Sequence, residues 1–96
     1  MSEPEQERSV RLLVSGRVQG VGFRYHTLAA ARRLGLVGWV KNLAGGEVEV
    51  RVTGPDSTLE ALRRELRRGP PGSRVDALEE TALESPSPWT EFRIVY

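Results

Sequence analysis

Residues 10–34 read VRLLVSGRVQGVGFRYHTLAAARRL, and this stretch predicts a strand, a glycine-rich loop and a helix in succession. Apolar side chains at Val10, Leu12 and Val14 recur with a period of two, which is typical of a half-buried strand. Three glycines between residues 16 and 22 then indicate a loop. Beyond the loop, apolar residues recur at helical spacing while arginines occupy the other side. The predicted apolar stripe of this helix consists of Leu28, Ala31 and Leu34.

The next part of the chain predicts a β-hairpin followed by a second helix. Residues 37–43 form the first strand of the hairpin, and residues 48–52 alternate valine with charged residues in the second strand. The turn between them contains two adjacent glycines, which suit a tight connection. Ser57 and Glu60 form a capping box that predicts the start of the second helix, with Asp56 as the alternative cap. The stripe predicted to be buried in this helix consists of Leu59, Leu62 and Leu66.

Two further strands complete the predicted fold. Residues 75–83 predict a strand of irregular pattern, and alternation at Phe92, Ile94 and Tyr96 predicts a closing strand. The order is therefore β-α-β-β-α-β with a short extra C-terminal strand. This order predicts an α+β sandwich with one antiparallel sheet and two helices on one face. Because this architecture serves many functions, the function has to be argued from individual residues.

The composition limits the chemistry that the chain can perform. It has 96 residues, a formal net charge of +1, one histidine and no cysteine. The absence of cysteine excludes disulfides, thiolate zinc sites, iron–sulfur clusters and a cysteine nucleophile. A single histidine cannot build a multi-histidine metal cage. The near-zero net charge argues against nucleic-acid binding, which usually requires a basic excess.

Length and polarity predict one domain preceded by a short tail. Residues 1–7 are polar and acidic without periodicity, so we expect a disordered tail there and a folded domain over residues 8–96. No apolar run approaches the roughly 20 residues that a membrane span requires. Residues 1–7 also lack the features of a secretory signal. We therefore expect a cytoplasmic monomer that binds neither membranes nor nucleic acids.

The loop GRVQGVGFR, residues 16–24, carries the clearest indication of chemistry. It precedes the start of a helix, where unpaired N–H groups and the helix dipole favour an anion. Gly20 and Gly22 can adopt backbone angles that turn consecutive amides toward one point. Arg24 lies in the first helical turn, where its guanidinium can bind the same anion. The loop is a candidate phosphate cradle, and the alternative is a plain connection with a solvated Arg24.

The residue types in this loop exclude several common phosphate sites. No Gly-Lys-Ser/Thr sequence follows, as a nucleotide P-loop requires, and the glycine spacing differs from that of the dinucleotide fingerprint. Phosphatases with a Cys-x5-Arg loop use a similar cradle, but Val18 stands at the position of their cysteine. Valine cannot attack phosphorus, and the loop contains neither serine nor threonine. A reaction here therefore needs water as the nucleophile.

These residues carry a resemblance to a known family. The loop GRVQGVGFR, together with residues 38–42 (GWVKN) and 46–49 (GEVE), resembles the acylphosphatase family. The resemblance extends from about Val10 to Tyr96, and the second motif lies at the expected distance from the first. It implies a ferredoxin-like sandwich and an enzyme that hydrolyses acyl phosphates to carboxylate and inorganic phosphate. It also implies that the reaction uses no metal and no cofactor.

The resemblance further implies roles for individual residues. Arg24, which ends the first motif, is expected to bind the phosphate and to be catalytic. Asn42, which ends the second motif, is expected to position the attacking water. Backbone amides of residues 19–24, called the cradle below, are expected to bind the phosphate oxygens. They belong to Gln19, Gly20, Val21, Gly22, Phe23 and Arg24.

Other residues near the motifs receive no catalytic role, and other functions stay open. His26 is predicted to be a surface or packing residue, and Tyr25 and Trp39 are predicted to pack in the core or on the sheet. Arg17 either adds positive electrostatic potential near the phosphate or is solvated.

One alternative to a hydrolase is an RNA-binding module, against which the low aromatic content of 6% argues. Another is a non-catalytic domain that senses an anion.

Overall fold

The structure is a computed structural model that describes residues 6–86 and 88–96. Within these residues the chain forms five strands and two helices in the predicted order. The strands are β1 (Glu7–Arg17), β2 (Val37–Asn42), β3 (Val48–Pro55), β4 (Arg74–Leu83) and β5 (Phe92–Ile94), and the helices are α1 (Phe23–Arg33) and α2 (Asp56–Arg68). The α+β architecture with a short extra strand is confirmed.

The strands form one sheet with the order β4-β1-β3-β2-β5. β1 pairs antiparallel with β3 and β4, and β2 pairs antiparallel with β3. The four strands β1 to β4 therefore form the predicted antiparallel sheet, and the short extra strand β5 runs parallel to β2, which makes the five-stranded sheet mixed. The direction of β5 follows from the path of the chain. The segment after β4 crosses to the opposite edge at one end of the sheet, so β5 must run opposite to β4, as β2 does.

Both helices cover the same face of the sheet, as predicted. Core residues of neighbouring strands lie opposite each other, for example Val10 with Val52 and Leu12 with Val50. α1 packs on β2 and β5, α2 packs on β1, β3 and β4, and the two helices contact each other. The predicted stripe of α2 is confirmed, because all three of its leucines are buried. In α1 the buried face is Phe23, Thr27, Ala30 and Ala31, while Leu28 and Leu34 are only partly buried against it.

Two predicted boundaries differ from the structure. Strands β1 and β3 both extend beyond the alternating apolar residues from which they were predicted. Glu7, which was predicted to belong to the tail, is the first residue of β1 and pairs with Pro55 of β3. Residues 1–5 of the predicted tail lie outside the described residues. β3 continues to Pro55, and α2 begins at Asp56 with Pro55 as its N-cap residue. The extended backbone of Pro55 (φ −62°, ψ 148°) suits both roles. The predicted capping box of Ser57 and Glu60 therefore lies inside the helix.

Candidate active site

The loop after β1 leads into the start of α1. Residues 19–22 form a turn, and Gly20 and Gly22 have left-handed backbone angles with φ of 75° and 80°. Gly22 is the N-cap residue of α1, and neither its own atoms nor an acidic side chain in the first turn caps the helix. Residues that have a Cβ atom resist these backbone angles, so the two glycines allow the chain to change direction abruptly between β1 and α1. The helix therefore begins with its N-terminal amides exposed at the loop.

The amides of the cradle are unpaired within the part of the chain that the structure describes. There, the first amide of this region with a backbone acceptor is that of His26, which donates to the Gly22 carbonyl at 3.0 Å. Among residues 6–86 and 88–96, no backbone carbonyl accepts a hydrogen bond of good geometry from the amides of Gln19 to Arg24. The start of a helix normally leaves such donors to water or a ligand, and its dipole favours a negative group there.

A small pocket of about 100 Å³ lies beside these amides. It brings together the two side chains that the resemblance singled out, Arg24 and Asn42. The remaining lining residues are Val18, Gly20, Gly22, Phe23 and Tyr25. Two predicted cradle residues do not line it: Val21 packs against the core, and the side chain of Gln19 points to the β2–β3 turn.

Asn42 reaches the pocket from the end of β2. It pairs with Val48, a core residue, and so lies on the face of the sheet that the helices cover, whereas Lys41 lies on the other face. The side-chain oxygen Oδ1 of Asn42 is buried, and it accepts no hydrogen bond from the described residues. Buried polar atoms in proteins almost always have a partner, so this oxygen is suited to a water or ligand proton.

The guanidinium of Arg24 has an aromatic neighbour and no acidic one. In the described part of the chain, no carboxylate lies within 4.0 Å of it. Its Cζ atom lies 5.2 Å from the ring centre of Tyr96, a cation–π contact. Tyr96 is 87% exposed and its contact was not predicted, because it stands far from the motif in sequence. Tyr25 is 62% exposed and lines the pocket, so its predicted packing role is wrong.

The other residues considered near the motif lie outside the pocket lining. His26 is partly buried between the helices, and its Nε2 lies 3.0 Å from the carbonyl oxygen of Glu65, in agreement with a packing role. Trp39 is partly buried on the sheet, under the guanidinium of Arg51. Arg17 is exposed at the end of β1. Within the described residues, no three histidine, aspartate or glutamate side chains cluster as a metal site would require.

None of the helices in the described ranges has the length and apolar character needed to cross a bilayer.

Comparison with known proteins decides the family. The profile of the acylphosphatase family matches residues 10–94, which include the cradle and Asn42. The chain belongs to the acylphosphatase family. The resemblance based on the two motifs is thereby confirmed.

Individual acylphosphatases match over nearly the whole chain. An acylphosphatase of Rhizobium etli is 43% identical over 90 residues, which cover 94% of this chain and 96% of that protein. One of Koribacter versatilis is 48% identical over 93 residues, covering 97% of this chain and 80% of that protein. The crystal structure of acylphosphatase from Bacillus subtilis superposes with a TM-score of 0.89 at 38% identity, covering 95% of this chain and 100% of that one. Family and fold together support the hydrolysis of acyl phosphates.

Proposed function

We propose that this protein hydrolyses acyl phosphates to carboxylate and inorganic phosphate by direct attack of water on phosphorus. The cradle amides and Arg24 bind the phosphoryl group, and Asn42 positions the water. The observation that supports this most strongly is the pocket that Arg24 and Asn42 both line, at a helix start whose amides are unpaired within the described residues. A phosphoryl group needs several hydrogen-bond donors that point at it, and an attacking water needs a hydrogen-bond acceptor. The residues of this pocket offer both kinds of group.

The binding half of the proposal rests on charge. A phosphoryl group in transfer carries negative charge on its equatorial oxygens, and catalysis consists mainly of positioning it and stabilising that charge. Preorganised amides and a guanidinium do this without reorganising during the reaction. Because Arg24 has no carboxylate neighbour in the described part of the chain, its full charge is available to the substrate.

The nucleophilic half rests on Asn42. A neutral amide cannot remove a proton at pH 7, but its oxygen accepts a hydrogen bond from water and so holds the water at one place. Oδ1 is buried and without a partner in the described residues, which supports this use. In the reaction a bond forms between water oxygen and phosphorus, and the bond between phosphorus and the acyl oxygen breaks. The water proton passes to a phosphoryl oxygen of the substrate.

The leaving group explains why so few side chains suffice. An acyl phosphate releases a carboxylate, whose conjugate acid has a pKa of roughly 4. Such a group departs as an anion near neutral pH and needs no general acid. The proposal therefore requires no catalytic histidine, and His26 is already engaged with Glu65.

Steady-state hydrolysis of benzoyl phosphate tests the proposal. We expect Arg24→Ala to lower kcat/KM by roughly a thousandfold or more, because the charge that stabilises the transferring group is lost. Asn42→Ala should lower kcat strongly while the inhibition constant of inorganic phosphate changes little. The matched control is Arg33→Ala, which removes an exposed arginine from the far end of α1 and should leave turnover near that of the wild type.

Each part of the proposal has an outcome that contradicts it. Near-normal activity of Arg24→Ala rules out its phosphate-binding role. Loss of phosphate binding with surviving turnover in Asn42→Ala contradicts the positioning of water. Activity that a chelator abolishes contradicts the metal-independent reaction, and a wild-type protein that does not hydrolyse benzoyl phosphate contradicts the function as a whole.

A further inference from the structure

The side chain of Gln19 connects the cradle to the β2–β3 turn. Its Nε2 donates one hydrogen bond to the carbonyl oxygen of Leu43 at 2.7 Å and another to that of Glu47 at 2.9 Å. An amide nitrogen has two hydrogens, so both are in use. Gln19 is partly buried, which shields these bonds from competing water. The cradle is thus joined by a side chain to residues 24 and 28 positions further along the chain.

The two acceptors lie next to the Asn42–Val48 pair, on the turn side of the hairpin. Leu43 follows Asn42 directly, and Glu47 directly precedes Val48, the residue that pairs with Asn42. The turn has its own backbone bonds as well, from the Leu43 amide to the Glu47 carbonyl at 2.8 Å and from the Gly46 amide to the Leu43 carbonyl at 3.1 Å. These bonds hold the turn together, but they do not join it to the cradle. Gln19 makes that connection.

We propose that the Gln19 side chain is a positioning residue that sets the distance and orientation of Asn42 relative to the cradle. The inference rests on the function proposed above, and it gives the side chain a task separate from that of the Gln19 backbone amide. Positioning matters because a displacement of about 1 Å at a reacting group can cost on the order of a hundredfold in rate. Both carbonyls keep a backbone partner when Gln19 is replaced, so the hairpin itself remains bonded.

Replacement of Gln19 by leucine or methionine tests the inference with benzoyl phosphate as substrate. Both variants keep the backbone amide and remove the two donors, and methionine also keeps the length of the side chain. We expect kcat to fall by roughly tenfold or more, while the inhibition constant of inorganic phosphate stays within about twofold. The matched control is Gln6→Leu, the same substitution at an exposed residue just before β1, which should keep the kcat of the wild type.

A double-mutant cycle with Asn42→Ala separates positioning from an independent role. If Gln19 acts through Asn42, adding Gln19→Leu to Asn42→Ala lowers kcat by less than about twofold further. Losses that multiply overturn the inference, as does a phosphate inhibition constant that rises by the same factor as kcat falls. An active wild type with either result leaves the proposed function standing, whereas an inactive wild type overturns both.

A direct measurement keeps the inference testable if a variant is unstable. The side-chain NH2 of Asn42, the single asparagine of the chain, gives its own pair of NMR signals in the folded protein. We expect these signals to shift in Gln19→Met, and to respond less than in the wild type when inorganic phosphate is added. Signals and response identical to those of the wild type overturn the inference. If leucine at position 19 prevents folding, the methionine variant provides the kinetic test as well.

Discussion

Arg24 differs from most arginines of this chain in what surrounds it. Arg11, Arg63 and Arg74 each donate to a carboxylate at 2.9 Å or less, and their charge is largely balanced by it. Arg24 has instead the ring of Tyr96 beside its guanidinium. A ring face stabilises a cation without neutralising it, so the guanidinium is held and remains able to bind an anion. This arrangement suits the phosphate-binding role proposed above for Arg24.

At the residue scale we predict that Tyr96→Ala weakens binding of inorganic phosphate about threefold. An exposed cation–π contact contributes roughly 0.5–1 kcal/mol, and its loss lets the Arg24 side chain adopt more rotamers. Tyr96→Phe keeps the ring and should bind phosphate as the wild type does. The inhibition constant of phosphate for both variants checks this. Equal weakening in the phenylalanine variant would show that the hydroxyl, and not the ring, is important.

The strand that carries Asn42 contains a glycine, Gly38, at which the backbone leaves no room for a Cβ atom. Gly38 of β2 has a φ of 141°, and a Cβ atom there would lie 2.0 Å from the carbonyl oxygen of Arg51 in β3. No real side chain tolerates that separation from a backbone atom, so β2 would have to move away from β3. Because β2 also pairs with β5, a shift at Gly38 would disturb the edge of the sheet that supports α1.

At the element scale we predict that Gly38→Ala lowers the free energy of unfolding by about 3 kcal/mol or more, from strain and overpacking together. Gly35→Ala is the matched control. Its φ of 71° is also left-handed, but, its two chain neighbours aside, no described residue lies within 4 Å of the added methyl group. It should cost only about 1 kcal/mol. Urea unfolding of both variants measures the difference, and equal losses would contradict the close approach as the cause.

Arg63 links α2 to the edge strand β4 by an ion pair. Arg64, Arg67 and Arg68 of this helix are exposed. The side chain of Arg63 is only 12% exposed and donates to Glu80 of β4 at 2.6 Å. The hydrogen bond from Arg63 to Glu80 raises the pKa of the guanidinium despite partial burial. The spacing of arginines on a helix does not reveal which of them meets a carboxylate on another element, so this contact is visible only in the tertiary structure.

The open face of the sheet has an ion-pair network at its centre. The side chain of Glu49 is 9% exposed and accepts hydrogen bonds from Arg11 at 2.6 Å and Arg51 at 3.3 Å. Burial by itself would raise the pKa of Glu49, but the two guanidinium groups outweigh it and hold the pKa below the ordinary 4.5. The network joins β1 to β3, so it stabilises the sheet as a whole.

At the scale of the whole molecule we predict a stability that depends on Glu49 and on pH. A folded-state pKa below the unfolded value means that the contribution of Glu49 is complete above about pH 4.5 and is lost as the pH falls through the folded pKa. Glu49→Gln should lower the free energy of unfolding by about 1–3 kcal/mol at pH 7, because two guanidinium groups lose their anionic partner.

Urea unfolding of the wild type and Glu49→Gln between pH 7 and pH 3 checks this prediction. The difference in free energy between the two proteins should shrink as the pH falls below 4.5. A difference that stays constant over the whole range would show that the folded and unfolded pKa values of Glu49 are equal.

The expectations of a cytoplasmic monomer that binds neither membranes nor nucleic acids stay predictions.

The sequence by itself determined the elements and the type of chemistry. Alternation at Val10, Leu12 and Val14 encodes a strand, and Gly20 and Gly22 permit the turn into α1, because backbone preference and burial period depend on neighbours along the chain. The family motifs then identified Arg24 and Asn42 as the candidate pair. These signals are local, and they are readable without knowing how the elements pack.

Only the tertiary structure decided which distant groups meet. It determined the direction of β5, the contact between Tyr96 and Arg24, and the two bonds from Gln19 to the β2–β3 turn. The physical reason is that side-chain contacts between separate elements depend on strand order, register and helix placement, all of which follow from burial of the whole core. No spacing along the chain encodes them, because each partner is close only after the sheet and the helices have packed together.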